Sequence, residues 1–371
     1  MKTFFNLIQE VVKPGFCYKC GGCVSFCTAI NYGALEMDAN GKPQYKDMEK
    51  CVECGLCYSI CPEIGELDGE IKRQAAWSLP LGRVIETSIA RARNLDIRER
   101  GTDGGVVTAI LAHLMDIGRI DGAIVSRPVG AFMREPSLAT TRGEIIESAG
   151  FHLDRSLGVH LFGDTYSTYS PSVHALAPMV RKGLRRVAFV GTPCQIKAIR
   201  KMEAMGIVPA DCITLHLGLF CIGNFVFGEP QRKHLEEIGD FSWEDVENIN
   251  MKEELMIWLN SGEVRKIPYD KLDFMKRLAC RYCDDYSAEF ADISFGGIGA
   301  EDSWTTVLTR TPLGRAVFAD AREEDLEEYP LSDKSKHISE AVGTIRKWSA
   351  KKKKAARENR RQLGKSVSFS E

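Results

Sequence analysis

No apolar run in this chain reaches the roughly 20 residues that a membrane-spanning helix needs. The nearest, Cys212 to Gly228, is broken by His216, Asn224 and several glycines. The opening MKTFFNLIQEVVKPGF has only a short apolar stretch, contains Asn6 and Gln9, and lacks a small-residue cleavage site, so it does not read as a secretory signal. No charge excess marks the whole chain, with 49 basic residues against 51 acidic. Internal repeats are absent apart from one doubled cysteine motif, and no nucleophile–base constellation stands out. The glycine-rich element Gly296-Gly297-Ile298-Gly299 lacks the third glycine, at its proper offset, of a dinucleotide fingerprint. A cytoplasmic protein, soluble or peripheral through partners, is expected, and 371 residues suffice for two or three domains.

Cysteine, by contrast, is abundant, at thirteen residues. Eight form two C-x2-C-x2-C-x3-C runs: Cys17, Cys20, Cys23, Cys27, and then Cys51, Cys54, Cys57, Cys61 followed by Pro62. That spacing wraps [4Fe–4S] cubes, with the fourth cysteine of each run reaching across to the other cluster. Cys17, Cys20, Cys23 and Cys61 are therefore assigned to one cube, and Cys51, Cys54, Cys57 and Cys27 to the other. The first run departs from the pattern at Thr28, where proline usually stands. Disulfides would need an oxidising compartment, and zinc patterns use fewer and wider cysteine pairs. Such clusters pass single electrons and bind no organic substrate, so the rest of the chain should supply a source or sink of electrons.

The boundaries follow from texture. Residues 1–65 form a two-cluster ferredoxin domain with a short amphipathic N-terminal segment, and Asn40-Gly41 makes a hairpin turn between the motifs. Residues 66–83 read as a linker, followed by mixed α and β in two parts, 84–160 and 161–332. Gly101 to Gly105 precede a helical pattern of Val106, Val107, Ile110, Leu111, Leu114 and Met115. Such a turn is either an anion site built from backbone N–H groups or only a tight cap. Asp121–Ser126 reads as a strand, and Ser167–His174 leads to a helix ending near Lys182. The strand Arg186–Val190 runs into Gly191-Thr-Pro-Cys-Gln195, with Thr192 as N-cap and Pro193 at the first helical position. Leu215–Cys221, Ala291–Phe295 and Trp304–Arg310 are further strands, and 230–275 holds a helix and a polar antiparallel stretch.

Five cysteines remain. Cys194, Cys221, Cys280 and Cys283 sit at element ends or in C-x2-C, and could hold a third cube or a zinc; spacing alone does not separate these, though two cubes already present favour a third. Cys194 could instead be a nucleophile activated at a helix N-terminus. Cys212 reads as a buried apolar cysteine. Residues 333–371 form a basic helical tail: Arg346 to Arg361 holds nine basic residues and one acidic. A solvated or frayed helix is the first reading and docking to an acidic partner the second. A single polybasic run with few aromatics is a poor nucleic-acid signature.

Several segments together resemble the family of beta subunits of coenzyme F420-reducing hydrogenase, F420-dependent dehydrogenases and formate dehydrogenase. They are Gly101–Ala109, Gly191–Gln195, Leu219–Cys221, Cys280 to Asp285, Asp292–Gly297 and Trp304–Thr306, in the family's order over about residues 84–315. The resemblance implies an α+β chain: a bacterial-type two-[4Fe–4S] ferredoxin module, then a mixed α/β domain binding FAD and the 5-deazaflavin F420. In that domain Cys194, Cys221, Cys280 and Cys283 would hold a third [4Fe–4S] cluster beside the flavin. Cofactor contacts are implied for Thr102, Asp103, Gly104, Gly105 and Thr108, for Thr192, Pro193 and Gln195, and for Ser294, Gly296, Gly297, Gly299, Trp304, Thr305 and Thr306. F420 carries a phosphate and carboxylates, so Lys197, Arg200 and Lys201 are candidates for a basic entrance, against the plainer reading of an exposed helix face.

The function implied is hydride exchange between F420 and FAD, with single electrons relayed through three cubes. Partners would be other redox subunits of a heterodisulfide reductase, hydrogenase or membrane dehydrogenase type, in archaeal methane metabolism. The alternatives are a ferredoxin-driven flavin reductase of another substrate on the same scaffold, and a relay protein without flavin. A zinc-stabilised nucleic-acid binder fails on cysteine spacing.

Overall fold

The structure, a computed structural model, describes residues 1–29, 32–130, 133–150, 173, 176–207, 209–330 and 334–363. The expected Ser167–His174 segment lies outside the described residues save for Val173, as does the boundary placed between residues 160 and 161.

The N-terminal module has a small hairpin, β1 (Leu35–Met37) with β2 (Pro43–Tyr45). Asp38 Oδ1 accepts from the backbone N–H groups of Asn40 and Lys42, closing the turn that Gly41 completes with positive φ. Phe4, Leu7 and Val11 of the N-terminal segment are buried in this module.

The central sheet has the strands β3 (Glu86–Ala92), β4 (Gly122–Gly130), β5 (Met133–Ala139), β6 (Val187–Gly191) and β7 (Ile213–Leu219). It also holds β11 (Ile293–Gly296), β12 (Thr305–Thr309) and β13 (Leu326–Glu328). Their order is β13-β3-β12-β11-β7-β6-β4-β5. The inner pairs β4–β6, β6–β7 and β7–β11 are parallel, and the flanks are antiparallel. Parallel strands are buried on both faces, which explains the apolar runs VAFV and ITLHL. Successive side chains of β6 alternate: Val187 and Phe189 enter one core, Ala188 the other. The second face is covered by the helices Val106–Asp116 and Pro312–Glu324. The first is covered by Pro193–Ala204, whose Ile196, Ile199 and Met202 share one core with the ferredoxin module. The two-cluster module is thus continuous with the sheet.

A separate lobe joins the helix Glu229–Gly239 to a three-stranded antiparallel sheet: β8 (Val246–Met251), β9 (Glu254–Leu259) and β10 (Val264–Pro268).

Two expectations are corrected here. The stretch read as a linker, 66–83, contains the helix Asp68–Gln74, held to Pro193–Ala204 by ion pairs from Lys197 (2.7 Å) and Lys201 (2.9 Å) to Asp68. The basic tail is not a solvated helix. Lys334–Gln362 is a helix of 29 residues with a buried stripe: Ala341, Ile345, Ser349, Lys352 and Ala356. Steps of three and four residues put these on one face, where small side chains allow close approach and basic ones reach carbonyls and carboxylates in the protein. Its Arg360 grips the ferredoxin module through Glu63 (2.9 Å).

Candidate functional site: three cysteine nests and a cavity

None of the cysteines is in a disulfide. One recess, of about 430 Å³ including the open space at its mouth, is lined by Cys17, Cys20, Cys23 and Cys61. Another, of about 350 Å³ counted the same way, is lined by Cys27, Cys51, Cys54 and Cys57. Each run thus sends its last cysteine to the other run's cavity, in the crossed pattern that the spacing predicts. Burial pushes the Cys57 thiol up to about 12, and Cys54, Cys51 and Cys27 add to it. Burial does the same to Cys61, again to about 12, with Cys17 adding. Four thiolates facing one dry space repel one another, and a multiply charged metal centre removes that repulsion.

Cys194, Cys221, Cys280 and Cys283 come together from three loops. Cys221 is pushed up to about 12 by burial; Lys352 opposes, and Cys280 and Cys194 add. Cys283 is raised to about 11 by burial, with Cys221 among its neighbours. The Asn224 N–H donates to Cys280 Sγ (3.3 Å), and Thr192 Oγ1 lies 3.4 Å from Cys194 Sγ. Cys194 is also within electrostatic reach of Cys20, which brings this set next to the first ferredoxin cavity. Zinc at about 2.3 Å from each sulfur would hold tetrahedral sulfurs about 3.8 Å apart. Among the described residues, the one group of three or more metal-capable side chains within 4.8 Å of one another is His113, Glu324 and Asp325, not cysteines. No three of these sulfurs all lie within 4.8 Å of one another, and four thiolates from three loops could hold a cube or a zinc. Cys212 is buried apart, beside Arg185.

A cavity of about 1,700 Å³, including its open mouth, lies at the carboxyl ends of β4, β6, β7 and β11. Ligands bind in that crevice in open α/β sheets. Of the residues singled out from sequence, its wall contains Thr102, Asp103, Gly105, Thr108, Thr192, Gln195, Gly296, Gly297 and Thr305, together with Cys221. Gly105 has positive φ where the loop enters the helix. Gly297 faces Asp103 so closely that an added Cβ would lie 2.3 Å from its carboxyl carbon. Thr305 Oγ1 donates to the Asp103 carbonyl, tying the two glycine segments together. Gln195 and Thr192 form the capping box of the helix Pro193–Ala204. Two buried oxygens, Thr102 Oγ1 and Asp103 Oδ1, make no hydrogen bond to protein. Burial raises the Asp103 carboxyl, against the pull of Lys252 at 3.8 Å. An organic cofactor fits these features: a large cleft, unused polar atoms at its wall, and glycines where a side chain would intrude.

Other predicted contacts lie behind the wall. Ser294 Oγ donates to the Ala288 carbonyl (3.0 Å) and accepts from Arg310 (2.6 Å). Thr306 donates to the Ile298 carbonyl (2.9 Å), and Trp304 sits under the Arg91 guanidinium (4.2 Å). Gly299 admits Ala341 of the C-terminal helix, Gly104 packs against Ser303 and Arg91, and Pro193 is buried at the helix start. Lys197, Arg200 and Lys201 are corrected on both readings: they neither line this cavity nor form an exposed face. Lys197 and Lys201 pair with Asp68, and Arg200 with Asp292 (3.1 Å) and Glu203 (2.9 Å). Lys201 is fully buried and donates to the Cys61 carbonyl (3.0 Å). A helix carrying basic residues between two negatively charged regions spends them internally.

Sequence reasoning missed Ser126, Arg134, Asn250, Lys252 and Tyr286, all on the cavity wall. They come from four separate segments with no shared motif, so only the fold assembles them.

Sequence comparison gives the family. The description "Coenzyme F420 hydrogenase/dehydrogenase, beta subunit" matches in two parts, N-terminal over residues 87–156 and C-terminal over 184–334. A 4Fe-4S dicluster domain matches residues 9–62. The coenzyme F420 hydrogenase subunit beta of Methanothermobacter thermautotrophicus is 32% identical over 76% of this chain and 98% of its own length. This chain belongs to the family of coenzyme F420 hydrogenase/dehydrogenase beta subunits. Another relative, the coenzyme F420 hydrogenase subunit beta of Methanococcus voltae, is 29% identical over 78% of this chain and 100% of its own length. A component of the F(420)H(2) dehydrogenase of Methanosarcina mazei is likewise 29% identical, over 85% of each chain. The fold also resembles a chain in the structure of the F420-reducing [NiFe] hydrogenase complex from Methanosarcina barkeri. The TM-score is 0.66 at 24% identity, over 79% of this chain and 98% of that one. This chain carries a dicluster domain ahead of the two beta-subunit parts. No helix among the described residues is long and apolar enough to cross a membrane.

Proposed function

We propose that this chain is the electron gate of an F420-dependent oxidoreductase, exchanging hydride between F420 and a bound FAD and passing single electrons through three [4Fe–4S] clusters to or from partner redox subunits. The observation that carries the reading is Cys221, which stands on the wall of the large cavity and within the third cysteine set. F420 moves two electrons as hydride and a cube moves one, so a flavin, which does both, supplies the necessary junction. The protein's part is positioning. Thr102 and Asp103 offer the cavity unused polar atoms, Lys252 supplies a cation beside them, and the two glycine segments leave room for close approach. Apolar walls from Val125, Leu219 and Phe295 would shield the ring of a bound cofactor from water. Cys17, Cys20, Cys23 and Cys61 would hold one ferredoxin cube, Cys27, Cys51, Cys54 and Cys57 the other, and Cys194, Cys221, Cys280 and Cys283 the third. The partners would be subunits of a hydrogenase, dehydrogenase or heterodisulfide reductase type.

The test is anaerobic stopped-flow absorbance of the FAD-loaded chain mixed with reduced F420 and a one-electron dye. Reoxidation of F420 with transient flavin bleaching, followed by dye reduction, is expected. If F420 stays reduced while reduced ferredoxin bleaches the flavin, the deazaflavin reading is wrong and a ferredoxin-driven reductase replaces it.

A further inference from the structure

We infer that Lys352, on the C-terminal helix, raises the reduction potential of the third cluster without ligating it. The inference rests on the reading of Cys194, Cys221, Cys280 and Cys283 as one cluster's ligands. Lys352 is 8% exposed although it lies in the most basic stretch of the chain. Its Nζ donates to the carbonyls of Cys221 (2.6 Å) and Asp285 (2.8 Å), one a cysteine of the set and the other two residues beyond Cys283. Cys283, Cys221 and Cys280 all lie within electrostatic reach of its ammonium. The acidic groups nearby are faced by other cations: Asp285 by Lys353 and Arg310 ahead of Lys352, and Glu289 by Lys353. The Lys352 charge is therefore turned toward the cysteines. The helix is pinned on either side of it, by Ile345 in the core and by Arg360 on Glu63, so the cation cannot withdraw.

Adding one electron makes a cube one unit more negative, and a fixed cation nearby stabilises that state more than the oxidised one. Cluster potentials respond to net charge and solvent exposure. A unit charge roughly 10 Å from the added electron, at an effective dielectric constant of about 20, changes the equilibrium on the order of tenfold.

The experiment is an anaerobic redox titration followed by electron paramagnetic resonance on the cluster-loaded full chain, for wild type, Lys352→Gln, Lys352→Arg and Cys221→Ala. The step missing from Cys221→Ala identifies the third cube. Lys352→Gln is expected to raise that cube's oxidised-to-reduced ratio at fixed potential about tenfold, a fall of about 59 mV for a one-electron couple. Lys352→Arg restores it, and the other two steps stay in place. An unmoved third step at full iron content would overturn the inference, leaving Lys352 a structural clasp. Loss of the third cube in Lys352→Gln also overturns it, making the lysine a retention residue. A wild-type chain with only two cubes is a different failure: it removes the third-cluster reading itself.

Discussion

Arg360→Met should detach the end of the C-terminal helix from the ferredoxin module while leaving the rest of the fold in place. Arg360 donates to Glu63 through both guanidinium nitrogens (2.9 and 3.3 Å) and to the Tyr282 carbonyl (2.9 Å). The Glu63 side chain is 6% exposed and also accepts from Tyr18 Oη (2.8 Å). Removing one partner of a buried pair leaves an uncompensated charge, at about 3–5 kcal/mol. At roughly 1.4 kcal/mol per tenfold change, local opening becomes on the order of a hundredfold to a few thousandfold more frequent. Amide hydrogen exchange across residues 350–362, read by mass spectrometry on the cluster-loaded chain, measures this directly. The pH dependence has a definite sign. Burial raises the Glu63 carboxyl, and Arg360 pulls it back; without Arg360 it rises further. A carboxyl whose folded value lies above its unfolded value of about 4.3 binds protons more tightly in the folded state. Stability then falls as pH rises through that window. The defect should be larger at neutral pH than in mild acid, and Glu63→Gln added to Arg360→Met should recover part of it. Exchange unchanged by Arg360→Met, or a defect that grows on acidification, would show that the Arg360–Glu63 pair does not hold the helix end.

Further expectations concern the cavity and the sheet. Gly297→Ala places a Cβ 2.3 Å from the Asp103 carboxyl carbon, so the purified chain should lose bound flavin, seen in its visible spectrum, while iron content per chain stays as in wild type. Thr102→Val removes a buried hydroxyl without a protein partner. If that hydroxyl serves the cofactor, binding should weaken by about 0.5–1.5 kcal/mol in a fluorescence titration, with thermal stability unchanged. Asp292 is held far below the ordinary carboxylate range, burial being outweighed by Arg200 and His216. Asp292→Asn should cost on the order of 3 kcal/mol, read as a lower midpoint of thermal unfolding.

Much of this was legible because metal ligation and backbone geometry write themselves into local spacing. The crossed pairing of Cys27 and Cys61 follows from two four-cysteine runs, and the two cavities line up with it. Thr192 and Pro193 read as a helix start because one satisfies and the other vacates a backbone N–H of the first turn; the structure adds Gln195, which accepts from the Thr192 N–H. Charged residues were harder to place. The basic character of Lys197, Arg200 and Lys201 is plain in sequence, but Asp68, Asp292 and Glu203, which pair with them, lie from three to more than a hundred residues away. The tail misled for the same reason. Its small-residue stripe, from Ala341 through Ser349 to Ala356, is too weakly apolar to mark a core-facing helix, and its use depends on carbonyls turned out by the cysteine loops.

The cations that sequence reading sent to solvent or to a ligand entrance are better understood as ties between the first ferredoxin nest and the third cysteine set. Lys201 bridges Asp68 and the Cys61 carbonyl, so it ties the second cysteine run to the helix that begins beside Cys194. Lys352 bonds the carbonyls of Cys221 and of Asp285, two residues past Cys283, and Arg360, two turns along the same helix, bonds Glu63 just after Cys61. Both paths connect the first ferredoxin nest to the third cysteine set, and neither touches the loop of Cys51 to Cys57. An electron relay needs fixed spacing most where it joins the organic cofactor. The distal nest, which would meet a partner, is left without such a clasp among the described residues. Weakening the Lys201 path and the Arg360 path together should therefore loosen the third set's distance to Cys20 more than either change alone, and slow electron arrival at the ferredoxin cubes without altering flavin reduction. Slowing of both steps alike would show instead that the clasps support the cavity.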